Sequence, residues 1–136
     1  MAGHKKRGQM DFRGTIIEES LEDKSILKDV KIVSTKVEPV KPEHRTPWLK
    51  QWTLHEAAIG EDRIGVISEK ISRSFDSLHG CSWYADFKDR EWHYIIFPHK
   101  IFKIDRTEPE GYNDARRYGI SLGIPEHQLD FSPDIK

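Results

Sequence analysis

A chain of 136 residues is the length of one domain, and a domain near this size buries roughly two thirds of the surface its unfolded chain exposes, enough for a core without covalent staples. Hydrophobic residues at 36% and charged residues at 33% make a globular composition rather than a disordered one, and a formal net charge of -1 excludes a global field that would draw in nucleic acid or anionic membranes. The single cysteine excludes an internal disulfide and the Cys-pair zinc spacings, no apolar run approaches the roughly 20 residues of a membrane span, and the start of the chain is too polar for a secretory signal. These features read as a soluble protein of the reducing cytoplasm.

Met1 to Met10 holds two glycines, no periodicity and the basic cluster His4-Lys5-Lys6-Arg7, and reads as a flexible basic leader. Structure is expected from Asp11. Phe12 to Glu19 reads as a strand because Thr15 and the paired Ile16 and Ile17 favour a pleated surface, with Gly14 marking a bulge. Glu22 to Ser25 is a polar connection, and Val30 to Val37 alternates as a second strand. Pro39, Pro42 and Pro47 lack the ladder donor, so Glu38 to Thr46 reads as a surface loop. Trp48 to Ile59 carries apolar residues on both parities, the mark of a central strand.

Gly60 ends that strand, and Glu61 and Asp62 supply an acidic first turn. Ile64, Ile67, Ile71 and Phe75 then recur at helical spacing, predicting an amphipathic helix to about Phe75 or Asp76. Ser82 to Asp105 has the densest aromatic and β-branched content. Its alternation is interrupted at Asp89-Arg90 and again at Pro98-His99-Lys100, which predicts three consecutive antiparallel strands, one parity of which meets the interior. Pro109-Glu110 starts a second helix and Gly119 stops it, with Tyr112, Ala115 and Tyr118 on one face, and Pro125 to Leu129 forms a last helical turn.

The order β-β-β-α-β-β-β-α predicts an α+β domain, an antiparallel-rich sheet of about five to six strands with two helices packed on one face. A ferredoxin-like core, built from the strand at Trp48, its helix and the following hairpin, is the special case, with a right-handed crossover if the flanking strands are parallel neighbours. Residues 11–133 form one domain between the leader, 1–10, and a frayed C-terminus, 134–136.

No phosphate loop, dinucleotide fingerprint, nucleophile elbow or calcium loop is present: Gly111, Gly119 and Gly123 fall in the wrong context. That removes the enzymes whose motifs are local. Three constellations remain. His79, Cys81 and His93 have ligand types that suit zinc, but their spacing matches no ligand pair, and an exposed loop histidine, a buried cysteine and a solvent-facing strand histidine explain them better; no metal and no cofactor is expected. His55 with Asp86 or His93 is the minimum kit for proton transfer, and since neighbours on a strand face opposite ways, Glu56 cannot share a pocket with His55. Arg45, Trp48, Trp52 and Tyr84, near Lys88 and Arg90, offer aromatic faces beside cations that suit a ligand or single-stranded nucleic acid, although tryptophans serving only as core account for the pattern more simply.

The run WYADFKDREWHYIIFPHKIFKID followed by YGISLGIPEHQLDF resembles a group of small uncharacterised prokaryotic conserved proteins. No activity is assigned to that group, so the resemblance implies no functional residues and supports only the reading of Asp11 to Pro133 as one unit. The chain reads as a noncatalytic module that binds a small ligand or a protein partner, with a homodimer through an exposed edge strand as one form of the latter. An enzyme using His55 with Asp86 or His93 is the alternative; nucleic acid and membrane partners are not expected.

Overall fold

β1 (Phe12–Ile17) lies in the middle of the sheet, where a strand must bury one face and pair along both edges. The computed structural model describes residues 11–41, 49–76 and 83–129; the leader, Arg45, Trp48, His79, Cys81 and the C-terminus from 130 lie outside the described residues. Six antiparallel strands follow the order β2-β3-β1-β4-β5-β6, with β2 Lys31–Pro39, β3 Gln51–Ile59, β4 Ala85–Lys88, β5 Trp92–Phe97 and β6 Lys100–Asp105. The aromatic segment is thus the expected three-stranded meander, and β3 is an inner strand. The α+β architecture with six strands and two helices is as the sequence implies.

Helix α1 (Ile64–Ser72) joins β3 to β4, which run parallel because each is antiparallel to β1. They are not neighbours: β1 lies between them, a split β-α-β unit, and among the described residues the ferredoxin-like expectation is met only there. The helix stops before Phe75. This residue instead bridges Leu21, letting the predicted apolar face of Ile64, Ile67, Ile71 and Phe75 reach the core from a shorter helix.

α2 (Gly111–Ser121) runs two residues past the expected stop. Gly119 has an ordinary helical role and is pressed under Leu129, where a Cβ would stand 2.7 Å from Leu129 Cδ2. Gly123, at φ +91, supplies the left-handed backbone that ends the segment.

The two helices do not share one face. Ile64, Ile67 and Ile71 of α1 pack with Phe12, Ile16, Phe87 and Ile96, whereas Tyr112 and Ala115 of α2 pack with Ile95, Phe97 and Ile104. Alternate β5 residues therefore enter different cores, so both parities of that strand are buried. The separation into one inward and one outward set holds in β4, where Ala85 and Phe87 are buried and Asp86 and Lys88 are half-buried.

Gly14 is not in a bulge. It pairs in regular register with Ala57 and Phe87, and its hydrogen is required because a Cβ would lie 1.9 Å from the Asp86 carbonyl oxygen. The irregularity in the sheet is on the outer strand, between Ile32 and Ser34 of β2.

Candidate functional site

Register decides which candidate side chains meet. Ile16 pairs with His55 while its neighbour Thr15 pairs with both Glu56 and Asp86, so His55 projects from the α1 face and Asp86 from the α2 face. Lys88 pairs with His93, which places His93 on the α2 face beside Asp86. The structure brings Asp86 and His93 together and puts His55 on the other side of the sheet.

On the α2 face, His93 is fully buried, with Nε2 2.6 Å from Asp86 Oδ2 and Nδ1 2.8 Å from the Tyr112 hydroxyl. Arg106, also buried, hydrogen-bonds the Tyr112 oxygen and donates through Nη1 to the Asp89 carbonyl at 2.6 Å. A guanidinium can only donate, so Arg106 donates to the tyrosine oxygen, and the Tyr112 hydroxyl and the Asp86 carboxylate each engage one nitrogen of His93. Burial pushes the Tyr112 hydroxyl above its ordinary pKa, with the nearby Arg106 charge pulling the other way. Tyr112 is 4% exposed. This hydrogen-bonded chain is a polar staple holding α2 to β4 and β5.

On the α1 face, His55 Nε2 lies 2.7 Å from Glu18 Oε1 and Nδ1 lies 2.9 Å from Thr35 Oγ1 on β2. Glu18 belongs to a 3-10 turn (Glu18–Ser20) in which β1 leaves the sheet. Beyond that point β3 has lost its neighbour, and Glu19 replaces it, accepting from Thr53 N–H at 2.6 Å and from the Thr53 hydroxyl at 2.8 Å. The two consecutive carboxylates clamp the turn onto β3.

Both clusters have the order carboxylate, imidazole, hydroxyl that activates nucleophiles in acyl transfer. Two concavities, of about 220 and 350 Å3, are lined by Asp23, Ser25, Asp29 and Lys70 and by Glu69, Ser72, His99 and Lys100, with Arg73 in both. Neither is lined by His55, Thr35, His93 or Asp86. Both nitrogens of His93 are engaged, so it presents no lone pair to a metal, and among the described residues no three His, Cys, Asp or Glu side chains are grouped as a ligand set.

Where described, the aromatic candidates take part in ring packing. Trp52 meets Trp83 edge-on with ring centroids 5.6 Å apart, and Tyr84 packs on Phe97 at 5.7 Å while its hydroxyl donates to the Gln128 carbonyl. Glu18, Thr35, Arg106 and Tyr112 were not candidates from sequence. Their roles depend on pairing between strands or elements distant in the chain, and the only local hint was the spacing that put Tyr112 on the inward face of α2.

Among the described residues, β2 ends the sheet on one side and is exposed along nearly its whole length. Eight of its nine residues are exposed, and Ile32, Val33 and Val37 are three of the five exposed large hydrophobics among the described residues. No helix among those residues is long and apolar enough to cross a membrane. Comparison with protein-family models, curated proteins and solved structures finds no match.

Proposed function

We propose that this chain is a noncatalytic protein-interaction module whose contact element is the outer strand β2, working in the cytoplasm, a setting that the single cysteine supports. One observation carries the reading: a nine-residue strand with one edge unpaired by any described strand, bearing Ile32, Val33 and Val37 at 39%, 44% and 53% exposure. An open edge offers main-chain donors and acceptors that a partner's extended segment can complete, and alternate side chains give the contact its selectivity.

The carboxylate–histidine pairs support the same reading from the other side. Each is consumed by contacts that hold the fold, Asp86 and His93 under Tyr112 and Glu18 and His55 under Thr35. The enzyme alternative needs His55 beside Asp86 or His93, which the sheet separates.

Site-specific photo-crosslinking tests the proposal. A photoreactive residue is placed in turn at Val33, Val37, Val66 and Ile120, all exposed, in cells producing the chain. Covalent adducts confined to the two β2 positions are expected. Adducts distributed equally over the four positions, or absent from β2, overturn it.

A further inference from the structure

Resting on that reading of β2, we infer that the partner is a second copy of the same chain, its β2 running antiparallel to the first about a two-fold axis at Val37. Backbone direction comes first. Val40 N–H donates inward to the Lys50 carbonyl at 3.0 Å, and Pro39, Val37 and Thr35 pair with Gln51, Thr53 and His55. Because amide direction alternates along a strand, Glu38 and Lys36 also turn inward while Thr35, Val37 and Pro39 turn their backbone groups out. The far side of the ladder agrees: Thr53, opposite Val37, sends its N–H away from β2 to Glu19.

The outward row is short. Pro39 has no N–H, and the bulge between Ile32 and Ser34 breaks the ladder at the other end. Such an edge discourages open-ended pairing, yet leaves room for one short, bounded partner. Centred on Val37, Val37 N–H of each copy donates to the Val37 carbonyl of the other, and Thr35 N–H donates to the Pro39 carbonyl, the one outward group of Pro39 that can take part.

Side chains select that register. Lys36 and Glu38 lie on one face, 3.2 Å apart, and Val37 lies on the other. With the axis at Val37, Lys36 of each copy stands opposite Glu38 of the other and the two valines meet. With the axis at Lys36, two ammonium groups face each other; with the axis at Glu38, two carboxylates do. Opposite charges directly across a strand pair stabilise and like charges destabilise, so the register at Val37 is favoured over both neighbours.

Sedimentation equilibrium of the full chain and three variants decides the matter. The wild type is expected to approach twice its 15.9 kDa mass at sub-millimolar concentration. Lys36→Glu and Glu38→Lys each set like charges across the axis and weaken association about tenfold or more. The double variant K36E/E38K restores it, because the opposed signs are exchanged but still paired. A wild type that remains at 15.9 kDa, or a folded double variant no tighter than the singles, overturns the inference. If the wild type is monomeric while the photoreactive positions on β2 capture other chains, the second-copy assignment fails and the contact-surface reading stands; no capture at β2 sinks both.

Discussion

His55 and His93 occupy opposite faces of one sheet, with β1 and β4 between their strands, and neither shares a hydrogen-bond partner with the other. Two sites without shared partners respond independently to mutation. The stability losses of His55→Ala and His93→Ala, measured by urea unfolding, are expected to add in the double variant to within about 0.5 kcal/mol. A coupling energy well beyond that would mean the two imidazoles act as a unit.

Tyr112 is the keystone of the α2 staple. Tyr112→Phe removes the hydroxyl between His93 and Arg106 and leaves buried polar atoms short of a partner, so it is expected to cost about 1–3 kcal/mol near neutral pH. The pH dependence has a definite sign. The folded hydroxyl titrates above the ordinary value of 10.0, so its contribution is fully present below that pH and is lost as pH rises through the folded pKa. The gap between wild type and Tyr112→Phe should therefore narrow above pH 10.0 and stay constant below it.

Asp23 behaves in the opposite sense. The Ser25 hydroxyl and then the Ser25 backbone N–H hold its carboxyl below the usual 3.8, so the stability linked to it is present above pH 3.8 and is lost as pH falls through the folded pKa. Ser25→Ala removes the larger cause. A carboxyl-resolved NMR titration should show the Asp23 midpoint moving up toward 3.8 in that variant, while Asp105, held down in the same way by Thr107, stays where it was.

Gly14 tests the closeness of β1 and β4. An added methyl collides with a backbone carbonyl, which has no rotamer through which to yield, so Gly14→Ala should destabilise by about 3 kcal/mol or more. Gly65, whose added Cβ meets nothing within 4 Å, is the control, and Gly65→Ala is expected to be neutral or stabilising in the same melts.

Local patterns were legible. The spacing of Ile64, Ile67 and Ile71 announced α1, and the breaks at Asp89-Arg90 and Pro98-His99 announced the meander. What could not be read was long-range register. Nothing near β1 in the chain says that it inserts between β3 and β4, yet this sets the faces of His55 and Asp86. His93 looked solvent-facing because it alternates with Trp92 and Tyr94; its burial depends on Tyr112, nineteen positions later, in a helix that covers the second face. Gly14 looked like a bulge because a glycine in a strand signals either irregular pairing or close approach, and local sequence does not separate the two.

Amide hydrogen exchange along β2 as a function of protein concentration tests the central claim most directly. Lys36 and Glu38 point their N–H groups at β3 and should be protected at every concentration, whereas Thr35 and Val37 point outward and should exchange quickly when dilute and slow markedly as concentration rises. Thr35 and Val37 amides that exchange at one unchanged rate across the whole concentration range would contradict the assembly of this chain through β2.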